Sequence, residues 1–122
     1  MKIITRFVLL ATLSLAAVAH AQPPVSVQIE VSFLLGYIEG SDCEFYRNGT
    51  WKDAKVAQGH IRDKYNYLVA RNMVNTTEEF IARAATESSL SGQAYKVRCK
   101  GEEIITSKKW LSDELARLKT YR

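Results

Sequence analysis

His60 and Lys64 lie four residues apart, so on a helix they share one face, about 40° apart and one turn from each other. An imidazole titrates near neutrality and can act as a general base, and an ammonium beside it can hold negative charge. The plainer structural reading is a helix edge whose imidazole bonds a backbone carbonyl. Ser88, Ser89 and Ser91, followed by Gly92 and Tyr95, form a second group. Hydroxyls and a glycine between a helix and a strand can turn backbone N–H groups toward an anion or a sugar hydroxyl. Ser89 or Ser91 would be a nucleophile only if His60 came within hydrogen-bond reach. The same residues are also what a helix terminator and turn require. Phe45, Tyr46, Trp51, Tyr65, Tyr67, Tyr95, Trp110 and Tyr121 make a third group. Aromatic rings stack on sugars or anchor protein partners, although in a small domain most must be core. Trp51, beside a turn, is the ring expected at the surface.

His60, Ser89 and Ser91 are the catalytic candidates, and no motif supports them. The serine block has no preceding glycine and no strand-to-helix order, so it is not a nucleophile elbow. It is not a phosphate-binding loop either. Glu78-Glu79 and Glu102-Glu103 are sequence neighbours and do not converge on a helix face. One histidine after the leader, and two cysteines without ligand spacing, make a poor metal site. The sequence implies no metal and no cofactor.

The first 21 residues set the compartment. Lys2 and Arg6 precede the apolar run from Phe7 to Val18, and Ala19-His20-Ala21 is the small-x-small pattern of a signal peptidase site. The run is too short for a bilayer span, which needs roughly 20 residues. Cleavage after Ala21 is expected, leaving a single domain over residues 22–122 and no stable membrane span. Of 17 basic residues the leader removes Lys2 and Arg6, while all 13 acidic residues remain, for a balance of +2. A charge that small gives no case for nucleic-acid binding. In an exported chain Cys43 and Cys99 read best as a disulfide, with two free buried thiols as the alternative. The loop they would close is long enough for a stabilisation of about 4 kcal/mol.

These residues need elements to position them. Val27, Val31, Leu34, Leu35 and Ile38 form one helical stripe, ended by Gly40-Ser41-Asp42. Asn48-Gly49 between aromatic-bearing stretches predicts a hairpin with strands at about 43–47 and 50–52. Asp53 is placed to cap a helix to about Ala70, with Ala57, Ile61, Lys64 or Tyr65, and Leu68 inward. Thr76 to Glu79 matches a capping box and opens a helix carrying Phe80, Ile81, Ala84 and Ala85. A strand over 94–99 follows, with Tyr95, Val97 and Cys99 on one face, then a short return strand within 102–106. Ser107 is placed to cap a last helix with Trp110, Leu111, Leu115 and Leu118 inward. The order predicts an α+β fold: a small antiparallel sheet (hairpin about 43–52, strand about 95–99) packed with about four helices on one face.

Four blocks then occur in order: Phe45-Tyr-Arg-Asn-Gly49, Ala57-x-x-His60-Ile-Arg-x-Lys64, Asn75-Thr-x-Glu-x-Phe-Ile81 and Ser88-Ser-Leu-Ser-Gly-Gln-Ala-Tyr95-x-Val97. Together, over residues 27–118, they resemble the DUF5329 family of small exported bacterial proteins. Ile61 departs mildly from the leucine other members carry after the histidine. The resemblance implies location and fold but no reaction, and a cysteine pair present in many members and absent from others, hence support rather than chemistry.

Two functions remain. The favoured one is a non-enzymatic binding or accessory protein of the bacterial periplasm or cell envelope. Its ligand would be an envelope protein or a cell-wall or surface glycan, bound by His60, Lys64, Ser88, Ser89, Ser91 and Tyr95. The alternative is a small envelope hydrolase or transferase in which His60 activates Ser89 or Ser91.

Overall fold

The computed structural model describes residues 22–121 and the isolated positions Thr5 and Ala11. The leader expected over 1–21 otherwise lies outside the described residues. Helix α1 (Val25–Glu39) follows Pro23-Pro24 and buries the expected stripe of Val27, Val31, Leu34, Leu35 and Ile38. Glu30 on the same helix is buried too, and accepts a 2.6 Å hydrogen bond from the Thr77 hydroxyl. That satisfies part of a carboxylate whose burial would otherwise be costly. Gly36 lies on the exposed side, so it weakens helix propensity without opening a hole in the core.

Strands β1 (Glu44–Arg47) and β2 (Thr50–Asp53) form the hairpin, with Tyr46 opposite Trp51. Asn48 and Gly49 have φ of 50° and 85°, the positive pair that a type I′ turn needs. Asp53 caps α2 (Ala54–Val69), accepting from the Val56 amide at 2.8 Å. Thr76 likewise caps α3 (Thr77–Ala84) through the Glu79 amide at 3.1 Å. The return half of that capping box differs from expectation. The Glu79 carboxylate meets the Thr76 hydroxyl, at 3.4 Å, where the motif would have it meet the cap amide.

β3 (Lys96–Arg98), β4 (Ile105–Thr106) and α4 (Ser107–Lys119) complete the chain. The sheet is antiparallel throughout, in the order β2-β1-β3-β4. Four helices and this sheet make the α+β fold. Phe45 and Val97 are paired, buried and turned toward the helices, while Tyr46, Trp51 and Lys96 take the opposite face. Cys43 and Cys99 are joined by a disulfide across the ends of β1 and β3, with Cα atoms 4.4 Å apart. Leu34, Ile38, Phe80 and Leu111 fill the centre where the helices meet the sheet. Lys119 near the end of α4 donates to Glu78 of α3 at 2.5 Å, which holds the Glu78 carboxyl below its ordinary range. No helix among the described residues is long and apolar enough to cross a membrane.

Two expectations are corrected in detail. Thr106, not Ser107, caps α4: its hydroxyl accepts from the Lys109 amide at 3.2 Å, and Ser107 is the first helical residue, fully buried. Trp51 is half-buried, because the Arg98 guanidinium lies 4.0 Å from its ring centroid and Tyr46 meets it edge-on. Tyr121, Tyr67 and Phe33 are the exposed aromatics among the described residues, at 77%, 55% and 39%.

Candidate functional site

Alternation along β1 puts Arg47 on the same side as Phe45, toward the helices. There it meets α2. Arg47 Nη1 donates to His60 Nε2 at 3.2 Å. A guanidinium has donors only, so the imidazole offers its Nε2 lone pair and, when neutral, carries its proton on Nδ1. This replaces the backbone carbonyl partner that the plainer reading of His60 foresaw.

Tyr95 sits two residues before Val97 and therefore also faces the helices. Its backbone is clamped on both sides: its amide donates to Thr86 O and its carbonyl accepts from the Ser107 amide, each at 2.9 Å. Lys64, one turn after His60, lies 5.4 Å from the Tyr95 ring centroid. Its ammonium donates to Glu87 O at 2.9 Å, which ties α2 to the serine turn.

Between these elements lies a small cleft with room of about 20 Å³, enough for one water-sized group. Phe45, Ala57 and Ile61 form its apolar wall, and the Tyr46 and Tyr95 rings flank it. Arg47, Lys52, His60 and Ser107 also border it, with no carboxylate among the lining residues, and the surface it exposes is almost wholly apolar. Two polar atoms here are buried without a hydrogen-bond partner, Arg47 Nε and Ser107 Oγ. They are also the two buried side-chain polar atoms without a partner among the described residues, and both belong to residues that border this cleft. Leaving a buried donor or acceptor unmade costs about 1–3 kcal/mol.

The serines divide by role. Ser88 is buried and spends its hydroxyl on the turn, accepting from the Leu90 and Ser91 amides at 3.2 and 3.4 Å. Ser91 is exposed and donates to Asn48 Oδ1 at 2.6 Å, joining the serine turn to the hairpin tip. Ser89 is exposed beside them. The structure thus brings His60 and Tyr95 to the cleft and sets Lys64 against Tyr95. Ser91 sits at the neighbouring hairpin tip, and Ser88 holds the turn from within. A hydrolase would need His60 to leave Arg47 for Ser89 or Ser91.

Arg47 and Ser107 escaped the sequence reading as site residues. Arg47 meets His60 across thirteen positions, from a strand end to a helix, and no local spacing signals that contact. Ser107 carried a signal that pointed elsewhere, since Thr106 and Ser107 are both competent caps. Among the described residues no group of three or more His, Cys, Asp or Glu converges as a metal site.

The family model of DUF5329, a family of unknown function, matches residues 25–119. The uncharacterized protein YfeK of Salmonella typhimurium is 32% identical over 95 residues, which span 78% of this chain and 77% of that protein. No solved structure matches significantly.

Proposed function

This chain belongs to the DUF5329 family, and from that membership we propose that it is a non-enzymatic binding or accessory protein of the bacterial periplasm. Export follows from the leader over 1–21, cleaved after Ala21, and the ligand is an envelope protein or a cell-wall or surface glycan. The binding face is the cleft with its rim: His60, Tyr95, Arg47 and Ser107 inside, Lys64, Ser89 and Ser91 around it, Ser88 supporting the turn. One observation carries this reading. Ser107 and Arg47 each hold a buried polar atom without a partner, Oγ and Nε, and both residues border the same cleft. A domain of this size has only about 5–15 kcal/mol of net stability, so two unmatched polar atoms in one place are expensive unless a ligand meets them. The disulfide supports the same reading, because it steadies a small scaffold in an oxidising compartment.

The test is capture of partners by crosslinking from envelope extracts. His60, Ser89 and Ser91 are all exposed, so replacing the three with Ala is expected to keep the parent circular dichroism and thermal midpoint nearly unchanged. Recovery of the crosslinked partner should fall. Undiminished recovery from a folded triple variant would count against this face.

A further inference from the structure

We propose that the outward face of α1 is a seam on which a second copy of this chain docks antiparallel, forming a symmetric dimer. At about 100° per residue, Val25, Ile29, Ser32, Phe33, Gly36 and Gly40 fall within one arc, opposite the buried stripe of the same helix. All six are exposed, Val25 by 70%, Ile29 by 63% and Phe33 by 39%. None of them borders the cleft, so this face and the ligand site are separate surfaces.

Charge sets this helix apart. Between Pro24 and Glu39 its one charged residue is Glu30, which is buried and holds the Thr77 hydroxyl. The other long helices expose charges to water, Lys55, Arg62 and Asp63 on α2 and Lys108, Lys109 and Asp113 on α4. A helix uncharged on its outer side as well as its inner one is built to be covered on both. A bilayer surface is the poorer cover, since interfacial helices carry Lys or Arg and α1 carries neither.

Shape selects a second copy. The bulk of the face lies in its N-terminal half, at Val25 and Ile29, and its hollows lie in the other half, at Gly36 and Gly40. A Cβ built at Gly36 would meet nothing within 4 Å, so that hollow is open to the outside. Turning a second α1 end for end sets Ile29 over the partner's Gly36 and Val25 over the partner's Gly40. Phe33 then packs beside the partner's Ser32, and the two-fold relation makes each contact occur twice. A parallel pair would set Ile29 on Ile29 and leave glycine facing glycine. A helix of 15 residues is about 22 Å long. Two such helices cover less than the roughly 1,200 Å² of a standard interface, so a dissociation constant on the order of 10–100 µM is expected.

The test is sedimentation equilibrium of the exported chain from about 5 µM to 1 mM, with isotope-mixed NMR of the concentrated sample. A monomer–dimer equilibrium is expected, with an intermolecular NOE from the Ile29 methyls to the Gly36 α protons. Ile29→Glu places a carboxylate at the exposed centre of the face, so it should fold as the parent does and weaken the dimer at least about tenfold. Gly36→Leu separates a fitted seam from mere apolar stickiness. Its side chain enters open space in the monomer and gains helix propensity, so the thermal midpoint should hold or rise. In the dimer it strikes the partner's Ile29, and association should weaken about tenfold. Stronger association of Gly36→Leu, or a dimer indifferent to Ile29→Glu, overturns the proposal. So does a chain that stays monomeric to about 1 mM, including one that instead binds vesicles of phosphatidylethanolamine and phosphatidylglycerol, or another envelope protein, through Ile29.

Discussion

Reduction of the Cys43–Cys99 bridge is expected to lower the unfolding free energy by about 4 kcal/mol. The cysteines are 56 positions apart, so the bond closes a long loop and removes much of the freedom of the unfolded chain. It also straps the two central strands of the sheet together, where Glu44 pairs with Arg98 and Phe45 with Val97. Against a net stability of about 5–15 kcal/mol, that is a large fraction of the whole. In a domain of this size the melting temperature should fall on the order of 15–30 °C. Urea denaturation with and without reductant measures it, and Cys43→Ala with Cys99→Ala separates loss of the bond from effects of the reductant. A change below about 1 kcal/mol would mean that the folded sheet holds these strand ends without the bridge.

The second large effect is at Trp110. Its ring stacks on Tyr37 with centroids 4.4 Å apart and meets Phe45 edge-on at 5.5 Å. One side chain therefore joins α4 to α1 and to the sheet. Trp110→Ala should cost about 3–5 kcal/mol, through lost burial and the cavity left behind. Trp110→Phe keeps an aromatic contact and should cost much less. Trp51, on the far face of the sheet, remains as the fluorophore for both variants. Trp110 and both cysteines border the same hollow with Tyr37, so removing the ring and the bridge together should depart from additivity by at least about 0.5 kcal/mol. A loss near zero for Trp110→Ala would contradict the packing described.

Where local chemistry decided the structure, the sequence was a good guide. Asn48-Gly49 had to turn, Asp53 and Thr76 had to cap, and the α1 stripe had to face inward, because each follows from residues within one turn or hairpin of one another. The disulfide was legible because two cysteines in a chain read as exported have few other uses. The interior of the site was not legible. Arg47 reaches His60 only because β1 lies second in the sheet with α2 packed against it, and that arrangement is a tertiary fact. Ser107 was read as the α4 cap, but Thr106 ends a strand in extended conformation and takes that role first. The consequence is that Ser107 turns inward. Ser88 was read as a ligand-binding candidate or a turn former, and it is buried under the turn that it organises. Trp51 looked exposed, and it is half covered by its cross-strand neighbour Tyr46 and by Arg98, reaching over from β3.

Ser107→Ala tests the binding cleft most directly, because it deletes one hydroxyl from a fully buried position and little else. Its urea midpoint and its recovery of a crosslinked envelope partner should be measured on the same preparation. An unpartnered hydroxyl kept for a ligand predicts a midpoint equal to or above the parent's, with partner recovery clearly reduced. A midpoint lowered by the equivalent of about 1–3 kcal/mol, with recovery untouched, would make Ser107 a prop of the fold and would contradict the cleft as the site of binding.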